Sequence, residues 1–145
     1  MTRWLLDTDV ISELRRPRPS PRVVSFIRDQ PLETLYLSVV TLAEVRFGID
    51  SLPDAGKRAQ LTDWLGHRVR PMFGRRVLSV DEDVILKWRV LVDEGRKAGH
   101  TFSQPELFIA ATAQLHGLTV VTRDVDEYAR AGTAVLNPWN SSGRA

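Results

Sequence analysis

Short apolar runs recur along the chain and alternate with longer stretches of helical periodicity. Each run carries few charges, which is typical of a strand buried on both faces of a parallel sheet. The predicted strands are Trp4–Leu6, Leu35–Leu37, Val77–Val80, Thr119–Thr122 and Ala134–Leu136.

The stretches between these runs predict helices through their apolar spacing and their capping residues. Ser20 is the expected N-cap of one helix, with Pro21 at its first position, and Ser38 is the expected cap of the next. The predicted helices cover residues 21–29, 39–50, 53–67, 81–97, 105–115 and 125–130, and the segment before the breaker 16–21 is predicted to be a short turn. Strands that alternate with helices predict the α/β class, with a parallel sheet and helices on both faces.

Composition narrows the class of protein further. A chain of 145 residues, 43% of them hydrophobic, suggests a single domain over residues 1–139, followed by a polar tail, 140–145, that is expected to be disordered. The absence of cysteine excludes disulfides, thiolate metal sites and cysteine nucleophiles. We find no long apolar stretch and no signal-peptide pattern, so we expect a cytoplasmic protein without a transmembrane helix.

Four acidic residues occupy comparable positions in this scheme. Asp7 follows the first strand and Asp124 follows the fourth, while Glu44 lies in the helix after the second strand and Glu106 begins the helix before the fourth. If the first and fourth strands are neighbours, all four side chains meet at the carboxyl edge of the sheet, where open α/β sheets bind ligands.

Four crowded carboxylates repel one another unless a positive charge lies between them. Hard oxygen ligands without His or Cys suit Mg²⁺ or Mn²⁺, and such metals activate water and stabilise the oxyanions of phosphoryl displacement. Each acid also has a structural interpretation: Asp7 and Asp124 as turn residues or helix caps, Glu106 as a first-turn acid, and Glu44 as the exposed residue of an amphipathic helix.

Neighbouring polar residues are candidates for a supporting role. Thr8, Ser12 and Thr122 are suited to orient carboxylates or waters, or to cap local turns, and Asp9 and Glu13 are more typical of peripheral charges than of ligands.

Arginines cluster beside the first acidic motif and again in the middle of the chain, although the net charge is only +2. Such clusters are either solvated surface or contacts to the nucleic-acid backbone. The two clusters are Arg15, Arg16, Arg18 and Arg22, and Arg68, Arg70, Arg75 and Arg76.

The segments LLDTDVISEL, LSVVTLAEVRFGI, FIAATAQLHGLTVVTRDVDEY and VLNPW occur in an order and spacing that resemble the PIN-domain ribonucleases. Within that family the chain is most similar to VapC-type toxins of toxin–antitoxin pairs, in the FitB-like branch. The resemblance implies a three-layer fold with a five-stranded parallel sheet, and Mg²⁺- or Mn²⁺-dependent endonucleolytic cleavage of RNA. The family's acids fall on Asp7, Glu44, Glu106 and Asp124.

Two positions depart from the family's pattern. Glu106 stands where the third acid is usually Asp, and its carboxylate is further from the backbone by one carbon–carbon bond, which predicts altered metal binding or activity. Asp9 stands where Asn is common, and it adds a negative charge near the metal.

The resemblance also implies partners. These are a cognate VapB- or FitA-like antitoxin that places a basic side chain in the acidic pocket, operator DNA bound through that antitoxin, an RNA substrate, and a second copy of the chain in a homodimer.

Two other functions fit parts of the sequence. Asp7 and Asp9 match the Asp-x-Asp start of haloacid-dehalogenase-like phosphatases, but Lys57, Lys87 and Lys97 lack the strand context that such an enzyme needs, and Glu44 would have no role. The other alternative is a catalytically weak or inactive PIN protein that acts mainly as an antitoxin and DNA-complex partner.

Overall fold

The computed structural model describes residues 1–140, in which five parallel strands form one sheet in the order β3-β2-β1-β4-β5. The strands are β1 (Trp4–Leu6), β2 (Leu35–Ser38), β3 (Val77–Leu78), β4 (Thr119–Val121) and β5 (Val135–Leu136). The predicted neighbours β1 and β4 pair directly, with Leu6 opposite Val121. The α/β class and the five-stranded parallel sheet are therefore confirmed. Of the expected tail, 140–145, all but Asn140 lies outside the described residues.

Eight α-helices cover this sheet within residues 1–140. They are α1 (Thr8–Leu14), α2 (Pro21–Asp29), α3 (Val39–Asp50), α4 (Ala55–Trp64), α5 (Arg70–Phe73), α6 (Glu82–Lys97), α7 (Gln104–His116) and α8 (Val125–Arg130). The prediction of a short turn after β1 is wrong, because residues 8–14 form helix α1. This helix has about two turns. Asp7 caps it, and Val10 and Ile11 are among its buried residues. So short a segment gives little periodicity to detect.

The helix predicted to end at His67 continues in a modified form. A π-helical turn, Leu65–Val69, follows α4 directly and leads into α5. Pro71, which has no N–H, lies directly after this π-turn, where the chain returns to α-helical geometry. Gly74, at φ 50°, ends the segment in a conformation that favours glycine.

Two hydrophobic clusters lie on opposite faces of the sheet and produce the predicted three layers. Successive residues of β1 point to opposite faces, so Leu6 packs with helices α1 to α5 and Leu5 packs with α6 to α8. Both leucines are fully buried, which explains the unbroken apolar run in the sequence.

Caps fix where the helices begin relative to the strands. Ser38 ends β2 and its hydroxyl accepts the Val40 N–H, as predicted, so α3 starts directly at the sheet edge. Ser20 precedes Pro21 at the start of α2 as predicted, but its side chain makes no capping hydrogen bond. None of the helices within residues 1–140 is long and apolar enough to cross a membrane.

Candidate active site

The carboxyl edge of strands β1, β2 and β4 carries a pocket of about 390 Å³ that all four predicted acids line. Asp7 directly follows β1, and its N–H continues the sheet by donating to Val121 O at 3.0 Å. The residues that line the pocket are Asp7, Thr8, Asp9, Glu44, Ser103, Pro105, Glu106, Ile109 and Asp124. The structure thus brings together acids that are far apart in the sequence.

Asp7 is the most buried of these acids, with 5% of its surface exposed. Its Oδ1 accepts the Thr8 N–H at 2.7 Å and its Oδ2 accepts the Thr122 hydroxyl at 2.9 Å. Burial and the neighbouring Asp9 carboxylate raise its pKa to about 6, against the lowering effect of these hydrogen bonds. Asp7 therefore caps α1 and faces the pocket at the same time.

Thr122 connects three of the acidic residues. Its hydroxyl donates to Asp7, lies 3.3 Å from Asp9 Oδ2, and accepts the Asp124 N–H at 2.9 Å. Asp9 Oδ2 also accepts the Arg123 N–H at 2.8 Å, while its Oδ1 is buried without a hydrogen-bond partner. Burial raises the pKa of Asp9 as well. Thr122 and Asp9 thus lie within the acidic site rather than at its periphery.

Glu106 reaches the pocket from the first turn of α7, where its Oε2 is buried without a hydrogen-bond partner. Burial, followed by the Asp124 and Asp7 carboxylates, raises the pKa of Glu106 to about 7. Glu44 is half-buried on α3, and Asp124 precedes α8 without forming a side-chain cap. The side chains of Glu106 and Asp124 therefore do not serve as simple helix caps.

These features fit a hard divalent cation. Buried carboxylate oxygens without donors and acids with raised pKa values both indicate negative charge that no protein cation neutralises within this pocket. Within residues 1–140, however, no three His, Cys, Asp or Glu side chains stand close enough to form a compact metal cluster. A cation held here would therefore draw these acids closer or contact some of them through water.

Ser12 lies outside the acidic pocket. It lines an adjoining groove of about 490 Å³, to which Asp9 also contributes. Its role in orienting the acids stays a prediction. Arg15, Arg16 and Lys57 give this groove its positive charge. The groove is lined by Asp9, Ser12, Glu13, Arg15, Arg16, Pro17, Leu52, Lys57 and Leu61.

Two of the residues in and around the arginine clusters have structural roles. Glu13 is buried and its carboxylate accepts the Ser20 N–H at 2.8 Å and an Arg16 N–H at 3.2 Å, which ties α1 to the start of α2. Arg76, in the second cluster, donates to Leu35 O at 2.9 Å and to a second backbone carbonyl. Part of the positive charge is therefore used to hold the fold.

The sequence did not point to Tyr128 or Glu127 as residues close to the site, nor to the contact between Arg123 and Trp139. Tyr128 is 1% exposed, and burial together with the nearby Asp7 carboxylate raises the pKa of its hydroxyl. The Arg123 guanidinium lies 4.1 Å from the centre of the Trp139 ring, which fixes the C-terminal turn beside Asp9. Glu127 accepts the Ser103 N–H at 3.2 Å. Tyr128 is the buried residue of α8, and its aromatic side chain in a short, mostly polar helix is the signal that could have marked it.

A parallel α/β sheet with polar side chains gathered at its carboxyl edge defines a class of proteins that bind ligands at that edge. The chain belongs to the PIN-domain family, whose sequence model matches residues 4–133. This assignment leaves the phosphatase alternative without support.

Relatives match over nearly the whole chain. The chain is 40% identical to Toxin FitB of Neisseria gonorrhoeae over 136 residues, which cover 94% of this chain and 98% of FitB. It is 38% identical to VapC ribonuclease Y4jK of Sinorhizobium fredii, over 93% of this chain and 96% of Y4jK. A solved structure of FitAB bound to an IR36 DNA fragment matches with a TM-score of 0.89 and 38% identity, over 94% of this chain and 96% of that one.

Proposed function

We propose that this protein is a metal-dependent endoribonuclease and the toxin of a type II toxin–antitoxin pair. The observation that carries the proposal is the convergence of Asp7, Glu44, Glu106 and Asp124 on one pocket. These four residues would hold Mg²⁺ or Mn²⁺. A metal of this kind supplies activation of water and stabilisation of the charge that develops on phosphate oxygens.

The chain's own contribution is to orient the acids in advance. The Thr8 N–H and the Thr122 hydroxyl each hold one oxygen of Asp7, and the Arg123 N–H holds Asp9. Because both oxygens of Asp7 already accept hydrogen bonds, its carboxylate enters metal binding in a fixed orientation. Asp9 adds negative charge beside the other acids, which favours a divalent over a monovalent cation.

The groove beside the pocket is suited to the RNA backbone. Arg15 and Lys57 line it beside the Arg16–Glu13 ion pair, and Asp9 is common to the groove and the pocket, so a strand bound there would continue toward the acids. Contacts of this type recognise phosphate rather than sequence. Selection of the target would then depend on single-stranded or loop structure in the RNA.

An unrestrained ribonuclease would harm its host, so the proposal includes a VapB- or FitA-like antitoxin. The solved FitAB complex with DNA supports an antitoxin partner that also carries the pair to operator DNA. A basic side chain of the antitoxin would neutralise the acidic pocket and compete with the metal. We further propose that the toxin forms homodimers and acts in the cytoplasm, where its RNA substrate is found.

The test uses the purified chain, separated from any antitoxin, incubated with total RNA in Mg²⁺, Mn²⁺ or EDTA. We expect cleavage in metal, none in EDTA, and a loss of at least about a hundredfold in rate for Asp7→Asn, because this substitution removes a charged ligand. Glu106→Asp, run beside wild type, measures what the longer Glu side chain costs. Asp126→Ala, which removes an exposed acid of α8, is the matched control.

A second candidate function is that of a catalytically weak partner in an antitoxin–DNA complex. It is favoured by the absence, within residues 1–140, of three acids close enough for a compact metal cluster, and by Glu106 in place of Asp. Folded protein that binds antitoxin but cleaves no RNA in either metal, even as Glu106→Asp, would establish this second function over the first.

A further inference from the structure

The start of α7 carries a motif that competes with the acidic pocket for Glu106. Ser103 is the N-cap of this helix and Glu106 is its third residue, so Ser103–Glu106 matches the S-x-x-E capping box. In a capping box the Glu side chain folds back and accepts the backbone N–H of the N-cap residue. A Glu106 in that conformation would give a carboxylate oxygen to the Ser103 N–H at the rim of the pocket rather than to a cation within it.

The structure shows a different arrangement at this helix start. The Ser103 N–H donates to Glu127 Oε2 at 3.2 Å, and the Ser103 side chain forms no capping hydrogen bond. Glu106 lines the acidic pocket, with its Oε2 buried and without a partner. The backbone donor that a capping box would give to Glu106 is therefore taken by an acid from another helix.

Glu127 is itself held in place by a chain of contacts. Its Oε1 lies 3.2 Å from His100 Nε2, and His100 Nδ1 lies 3.0 Å from Arg130 Nη1. Because a guanidinium can only donate, Nδ1 must accept, and Nε2 carries the proton that is donated to Glu127. Phe102 packs edge-on against His100, with ring centres 4.5 Å apart. Each carboxylate oxygen of Glu127 thus has one donor, which directs Oε2 at Ser103.

We propose that Glu127 is a positioning residue, which occupies the Ser103 N–H and thereby keeps the Glu106 carboxylate in the acidic pocket. The inference rests on the proposed function for its catalytic consequence, but the position of Glu106 can be tested without RNA. It also makes the requirement for Glu127 depend on which acid stands at position 106. An Asp at position 106 has a shorter side chain and reaches the N-cap amide less well, so the need for Glu127 is specific to Glu106.

The direct test is the crystal structure of metal-free Glu127→Ala. We expect a Glu106 carboxylate oxygen about 3 Å from Ser103 N, since the donor is then available. A Glu106 that stays in the pocket while Ser103 N–H has no protein acceptor would overturn the proposal. Should Glu127→Ala fail to fold, Glu127→Met allows the same comparison, because it removes both carboxylate oxygens and keeps a side chain of similar length.

The second test is a double-mutant cycle on Mn²⁺ affinity, measured by calorimetry without RNA. Glu127→Ala should weaken Mn²⁺ binding about tenfold or more in the wild-type background, in the range typical of residues that orient metal ligands. It should weaken binding by less than about threefold in a Glu106→Asp background. Asp126→Ala is the control, because Asp126 is an exposed acid on the same helix.

The outcomes separate this inference from the proposed function. Equal losses in the two backgrounds, or no loss in either, would mean that Glu127 does not act through Glu106. If wild type binds no Mn²⁺, the proposed metal function fails, and the crystal structure of Glu127→Ala alone then decides whether Glu127 positions Glu106.

Discussion

At the scale of single residues, burial raises the pKa of three carboxyl groups in the site, those of Asp7, Asp9 and Glu106. Asp7 shows this most clearly, because its two oxygens have good hydrogen-bond donors and its pKa is nevertheless raised to about 6. Loss of hydration and repulsion by Asp9 outweigh the donors. In the metal-free protein Asp7 therefore reduces the stability of the fold when it is charged.

This burial predicts an unusual dependence of stability on pH. A carboxyl whose pKa is raised in the folded state binds its proton more tightly there than in the unfolded chain. Its favourable contribution to the free energy of unfolding is therefore fully present below pH 3.8 and is lost as the pH rises through about 6. For Asp7 this loss is about 3 kcal/mol. We expect the free energy of unfolding in EDTA to fall between pH 4 and about 7, as measured by urea denaturation.

Asp7→Asn provides the control for this prediction, since its amide can still bond to Thr8 N–H and to the Thr122 hydroxyl without a charge. In Asp7→Asn the free energy of unfolding should fall less as the pH rises, and near neutral pH in EDTA it should be higher than that of wild type. A decline of the same size in Asp7→Asn would assign the effect to other groups.

Thr122 is the residue on which the orientation of the acids depends most. Thr122→Val removes the donor to Asp7 and the acceptor for the Asp124 N–H. We expect Mn²⁺ affinity, measured by calorimetry, to fall about 10- to 100-fold, as for other groups that orient metal ligands. Thr122→Ser keeps the hydroxyl and should retain affinity close to that of wild type. Equal affinities for the Val and Ser variants would contradict the role.

At the scale of elements, the loop before α7 is packed tightly against α6. A Cβ added at Gly95 would lie 2.6 Å from the Phe102 ring and 3.0 Å from His100 O. Gly95→Ala should therefore lower the free energy of unfolding by about 1–3 kcal/mol, as overpacking usually does. Urea denaturation of the purified variant measures the change.

Gly48→Ala is the matched control on α3. A Cβ there meets nothing within 4 Å, so the variant should be about 0.5–1 kcal/mol more stable than wild type through helix propensity. If Gly95→Ala and Gly48→Ala changed the free energy of unfolding in the same direction, a clash with Phe102 would not explain the effect at Gly95.

The elements also show how far sequence alone determines the fold. The strands, α2 and α3 were predicted closely, because apolar runs and the residues Pro21 and Ser38 act locally. Helix α1 was missed because its two turns give little periodicity, and the π-turn after α4 was missed because the sequence pattern there resembles an ordinary helix.

The candidate site divides in the same way. The four acids were recognised from their positions relative to strands and helices, which the topology of a parallel sheet brings to one edge. Glu127, Tyr128 and the Arg123–Trp139 pair were not recognised, because their significance depends on which side chains meet after folding. Ser12 lines the adjoining groove together with Asp9, and its supporting role stays a prediction.

At the scale of the whole molecule, the proposed metal binding would be linked to folding. If the pocket binds Mn²⁺ only in the folded state, a concentration one hundred times the dissociation constant adds about 2.7 kcal/mol to the free energy of unfolding. We expect the melting temperature of wild type to rise with Mn²⁺ and that of Asp7→Asn to be nearly unchanged. Asp126→Ala should respond as wild type does. A similar rise in Asp7→Asn would show that Mn²⁺ binds elsewhere.

The pairing of β1 with β4 has a consequence for synthesis of the chain. Asp7 leaves the ribosome well before its partners in the site, because β4 and the residues Thr122 and Asp124 emerge only after more than a hundred further residues. The central strand therefore has β2 beside it but lacks β4, the second of its two neighbours, throughout that interval. A nascent or truncated chain would carry no assembled site, and the interval before assembly gives a cotranslated inhibitor time to be made.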